Sequence, residues 1–137
     1  MREILFRGKQ IDNGVWVEGY LYITHNGEHE ISIYNDEVNI ERWTHEVDPS
    51  TVGQYTGLTD KNGKGIFEGD VVSQSWYDYE EPRDTSFGEV VYCEYDCSFS
   101  VMDDEKDKIV PLGSCAAYVW EVEVIGNVHD NPELLEK

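Results

Sequence analysis

The side chains that could do chemistry are few and scattered. His25 and His29 stand four positions apart, the spacing at which two imidazoles on a helix could hold one ion. They flank Asn26-Gly27, a dipeptide that supplies the positive φ of a tight hairpin turn. With those two residues as the loop, the imidazoles point to opposite faces and share nothing. Cys93, Cys97 and Cys115 are the only thiols. On an extended strand an i,i+4 pair lies ~13 Å apart, too far for one zinc with Zn–S bonds of about 2.3 Å; only a bend at Asp96 would bring them together. Among the many carboxylates, Glu68 and Asp70 are the best placed, yet no nucleophile, base and orienting group converge with them. Gly57, Gly63, Gly65 and Gly69 recur in the middle of the chain without the spacing or following helix of a phosphate-binding loop, so they are read as shaping turns. No catalytic residue, cofactor or metal ligand is assigned.

Charge narrows the function classes. The 137 residues hold 29 acids against 10 bases, a net charge of −19 and a pI of ≈ 4.3. Such a chain repels nucleic-acid backbones, whose binding needs Lys and Arg to displace counterions, and anionic membrane surfaces. Solvation of a strand-rich protein is the plain use of this acidity. Three cysteines, an odd number, behind an N-terminus without a continuous apolar run lead us to expect a cytoplasmic protein. No segment reaches the ~20 apolar residues of a membrane helix.

The elements that must position these groups read as strands. The length suits one domain, and nine tyrosines and four tryptophans suit pleated, half-buried surfaces. Strands are expected at Glu3–Lys9, Val15–Thr24, Glu30–Tyr34 and Val38–Val47, with turns at Asn13-Gly14 and Asn26-Gly27. If Asn26-Gly27 form a two-residue loop, Tyr22 pairs with Ile31, and Tyr20, Tyr22, Ile31 and Ile33 share the greasier face. A glycine-punctuated stretch, Thr51–Leu58, is followed by a strong turn at Asp60–Lys64. A strand then runs to about Trp76, and Asp78–Ser86 is read as a solvated acidic loop. Phe87–Tyr95, Ser98–Met102 and Ile109–Leu112 follow as strands, with an acidic turn at Asp103–Asp107. In Tyr118–Val124, Trp120, Val122 and Val124 alternate with Glu121 and Glu123. Asn131-Pro132-Glu133 starts a short helical turn with Asn131 as N-cap. Short strands with turns every ten or so residues predict an all-β, mainly antiparallel small barrel or sandwich. Gly69-Asp70-x-Val72 is similar to the first strand residues of SH3-like barrels, where a turn carboxylate caps backbone amides.

Three blocks carry a family resemblance: Phe6-Arg7-Gly8-Lys9, the run from Thr51-Val52-Gly53-Gln54-Tyr55 through Gly69-Asp70-Val71-Val72, and Glu123-Val124-Ile125-Gly126-Asn127-Val128-His129-Asp130-Asn131-Pro132-Glu133-Leu134-Leu135. Together they resemble the YopX family of small phage and prophage proteins, over essentially the whole chain. The resemblance implies a mostly β fold and a phage-derived origin, and no biochemical activity.

What remains is a ranking of functions. A non-enzymatic accessory protein that binds a host or phage protein comes first. Trp76, Tyr77, Tyr79, Glu80 and Glu81 are the candidate partner-binding residues, because aromatics running into acids can anchor a basic partner. An acidic mimic of nucleic acid that occupies a host DNA-binding enzyme comes second, and a small metal-dependent hydrolase third. Direct nucleic-acid binding through Arg2, Arg7, Lys9, Lys61 and Lys64 is handicapped by the overall charge. Three bases in the first nine residues hint at a homo-oligomer through contact with acidic loops of another copy.

Overall fold

Short β-prone runs separated by turn residues form two antiparallel sheets. The computed structural model describes residues 3–33, 43–78, 81–113 and 119–136, and the chain divides into two units, Met1–Gly57 and Leu58–Lys137.

In the first unit, β1 (Phe6–Lys9), β2 (Trp16–Ile23), β3 (His29–Ser32), β4 (Thr44–Val47) and β5 (Gly53–Thr59) lie in the order β4-β3-β2-β1-β5, with β5 running past the unit boundary. Val17, Ile31 and Val47 are its buried core, with Phe6, Leu21, Ile33 and Val52 packed against them. The backbone of Lys9–Ile11 reaches β4 through a bridge from Gln10 to Val47 and through Asp48 N donating to the Lys9 carbonyl at 2.8 Å. Asp48 caps the 3₁₀ turn Pro49–Thr51 by accepting from Ser50 N at 3.0 Å. Trp43 lies just ahead of β4, and the rest of the strand expected from Val38 falls outside the described residues.

One register differs from expectation. Leu21 opposes Ile31 and Tyr22 opposes Glu30, because the β2–β3 loop holds three residues: Thr24 N donates to the Glu28 carbonyl and Gly27 N to that of Thr24. One added loop residue slides the ladder by one, and a slide of one exchanges the faces. Ile31 is therefore buried with Leu21, while Tyr20 and Tyr22 are exposed.

In the second unit, β6 (Gly65–Phe67) follows the Asp60–Lys64 turn. Then come β7 (Asp70–Asp78), β8 (Glu81–Cys93), β9 (Ser98–Asp103), β10 (Lys108–Pro111) and β11 (Val119–Asn127). The last five form a sheet in the order β10-β9-β8-β7-β11. Ile66, Val72, Val90, Val101 and Val122 are its buried core, with Leu58, Leu112, Trp120 and Val124 against them. Trp120, Val122 and Val124 fall on the core side of β11, as their alternation predicts.

The expected loop Asp78–Ser86 is a correction. β7 and β8 form one long hairpin, Gln74 opposing Ser86 and Asp78 opposing Glu81, with a bulge at Trp76/Tyr77. Backbone groups pair whatever the side chain, and strand preference yields to context, so charge composition alone misjudged the segment. The C-terminal turn Pro132–Leu135 is 3₁₀, and Asn131 makes no side-chain cap to it; its Oδ1 accepts from Asn127 N at 3.3 Å instead. Neither sheet closes on itself among the described residues, so of the two expected all-β architectures the closed barrel is not formed. Among those residues no helix is long and apolar enough to cross a membrane.

Candidate functional site

The glycine-spaced middle block is the most recognisable stretch, and it works as structure. Asp60 is buried at the turn before β6. Its Oδ1 accepts from Asn62 N and Lys64 N, each at 2.9 Å, and its Oδ2 from Val124 N at 3.0 Å. Lys61 N donates to the Val122 carbonyl at 2.9 Å. The turn thus satisfies outward backbone groups of β11, the edge strand of its sheet, and an occupied edge offers less template for another strand. Burial alone would raise the Asp60 pKa, but the amides of Val124, Lys64 and Asn62 hold it below the usual value. The Lys61 ammonium sits between Glu121 at 3.3 Å and Glu123 at 3.2 Å; these acids, Glu123 foremost, raise its pKa. Asp70 is 1% exposed and caps Phe67 N at 2.8 Å, the capping role its turn position suggested. That contact gives Asp70 a structural use.

The other candidate residues are placed as follows. His25 lies in the β2–β3 loop, while His29 is on β3 opposite Ile23, its Nδ1 3.1 Å from the Gly27 carbonyl. Cys93 ends β8 and Cys97 lies in the turn to β9, at φ 53°, so the chain does bend at Asp96, with Cys93 Sγ 3.9 Å from Asp96 Oδ2. Among the described residues no three His, Cys, Asp or Glu side chains gather as a metal site, and Cys115 lies outside them. Trp76 is buried on β7, and its indole N–H donates to the Gly113 carbonyl at 3.2 Å. Tyr77 is half-buried and Glu81 exposed; Tyr79 and Glu80 are outside the described residues. Of the bases considered for nucleic acid, Arg7 is buried, its guanidinium 4.8 Å from the Trp16 ring centre, where Lys9 also stands at 5.4 Å.

The surface that unites apolar and charged groups lies elsewhere in the second unit. The β9–β10 hairpin and the C-terminal turn line two depressions that share Asp104. One is lined by Phe87, Asp104, Glu105, Leu134, Leu135 and Glu136. The other, an open groove of ≈ 410 Å³, is lined by Met102, Asp104, Asp107, Lys108 and Ile109. The hairpin is anchored by Asp103, 2% exposed, which accepts from Phe87 N and Lys106 N, each at 3.2 Å. Its two lysines are engaged by Asp84: Lys108 Nζ at 2.8 Å and Lys106 Nζ at 3.6 Å, the latter also donating to the Thr85 carbonyl. The hydrogen bond from Lys108 lowers the Asp84 pKa. The lining therefore combines apolar side chains with several carboxylates. No sequence signal links Phe87, Met102–Ile109 and Leu134–Glu136, which only the fold brings together.

Comparison with known proteins agrees with this fold. A family model described as YopX protein matches residues 5–136. The crystal structure of the yopX protein from Bacillus subtilis is similar, with a TM-score of 0.56 and 20% sequence identity, over 96% of this chain and 98% of that one. No curated protein matches the chain.

Proposed function

The chain belongs to the YopX family, and from that premise we propose that it is a phage- or prophage-derived accessory protein that acts without catalysis, by binding a host or phage protein. The observation that carries this reading is the groove of the second unit, where exposed Met102 and Ile109 are bordered by Asp104 and Asp107. Apolar side chains bordered by polar and charged ones are the usual anatomy of a protein-binding surface. The titratable groups with a clear task serve the fold: Asp60, Asp70 and Asp103 cap the protein's own amides. Those three acids also face inward, which subtracts them from any imitation of a phosphate row and weighs against the mimic reading. Burial of Arg7 and the clamping of Lys61 weigh likewise against direct nucleic-acid binding. The hairpin tip around Tyr77 and Glu81 is the second surface to probe. Tagged protein incubated with host lysate should retain a discrete partner at low salt; retention of nothing above a control would remove the reading.

A further inference from the structure

The outward face of the second sheet carries a carboxylate where the neighbours are apolar. Glu89 on β8 opposes Met102 on β9, which opposes Ile109 on β10, and on its other side Glu89 opposes Val71 on β7. Directly opposed residues share a face, so Glu89 stands in an apolar row that leads into the groove. It is half-buried, and that burial, with the negative charge of Asp104, raises its pKa. A positive charge brought beside it would favour its ionised form and oppose the repulsion from Asp104. The neighbouring depression adds half-buried Leu134 and Leu135, with exposed Glu105 and Glu136 in its lining. Lys108 lines the groove as well, but its ammonium and that of Lys106 are paired with Asp84.

Resting on the protein-binding reading above, we propose that this groove receives a basic amphipathic segment of the partner. Its apolar side chains would meet Met102, Ile109 and Leu135, and its lysines or arginines Glu89, Glu105 and Glu136. Charge complementarity selects this occupant: a net charge of −19 disfavours an acidic peptide and repels nucleic acid, while the apolar side chains reward more than a bare polycation. Desolvating them supplies affinity, and the carboxylates supply sign selectivity and salt dependence.

The test titrates a labelled peptide of alternating lysine and leucine, and its isomer with glutamate for lysine, into the full chain. The lysine peptide should bind and the glutamate peptide should not, with affinity falling as salt rises. Glu105→Lys with Glu136→Lys should weaken binding about tenfold or more. Ile109→Asp, at a position 52% exposed, should do the same with an unchanged unfolding midpoint. Equal binding of the two peptides, or unchanged binding by the charge-reversed chain, overturns the assignment. A lysate partner held equally by wild type and by the reversed chain would remove the groove and leave the protein-binding reading standing. Failure of the wild type to hold either the lysine peptide or any lysate partner would remove both.

Discussion

The two units hold their turns by different means. In the first, exposed Asp48 caps Ser50, and the core is three residues, Val17, Ile31 and Val47, closed by near contacts at glycine. Gly8 abuts the Val47 side chain, and a Cβ at Gly19 would strike the Ser32 carbonyl. In the second, Asp60, Asp70 and Asp103 are buried and each satisfies backbone amides at a turn. Exposed caps are interchangeable with water, whereas a buried carboxylate that leaves strands its donors. Thus three acids of the second unit are internal structure, and the groove draws instead on exposed ones of the β9–β10 hairpin, Asp104, Glu105 and Asp107.

The sharpest way to break that contrast is at Asp60. Asp60→Ala leaves the amides of Asn62, Lys64 and Val124 without their acceptor and should cost about 3 kcal/mol, read by denaturant unfolding with amide exchange resolving β11. The folded pKa is lowered from 3.8, so its contribution is complete above the unfolded value and disappears as pH falls through the folded one. Wild type should therefore lose β11 protection on acidification below about pH 4, and Asp60→Ala should lack that step. A variant with native stability would mean the buried cap is incidental.

Next in size is Gly19→Ala, where the added Cβ forces β2 from β3 and should cost about 2 kcal/mol, with loss of exchange protection confined to the first unit. Asp48→Ala should cost only about 1 kcal/mol, as for an ordinary exposed cap; a loss equal to that of Asp60→Ala would erase the distinction between the units. The smallest effect is at Glu89. Its folded pKa is raised, so the folded state favours the protonated form and ionisation removes stability as pH rises through the folded value. Glu89→Gln should raise the unfolding midpoint slightly at neutral pH and leave it unchanged well below pH 4. A lower midpoint at neutral pH would show that the ionised carboxylate has a stabilising partner.

Local patterns made the strands legible: the Trp120, Val122, Val124 alternation, the Asn-Gly turns, and the capping aspartate after Gly69. What failed were matters of counting and of distance. The β2–β3 register turned on whether His25 belongs to the loop, a difference of one residue that exchanges the faces of Tyr22 and Ile31. The Asp78–Ser86 hairpin was hidden by its charges, because backbone pairing leaves no mark in composition. The role of Asp60 depends on Val124, 64 residues away, and Trp76 looked like a surface anchor because nothing in its surroundings announced the Gly113 carbonyl. The groove was illegible for the same reason: its lining comes from three separate stretches.

The most direct test of the binding account is a backbone amide NMR titration of the full chain with the lysine–leucine peptide. The account predicts saturable shifts at Phe87, Glu89, Met102, Asp104–Ile109 and Leu134–Glu136, with the amides of β1 to β4 unmoved. Shifts concentrated on the first unit, or none that saturate, would contradict it.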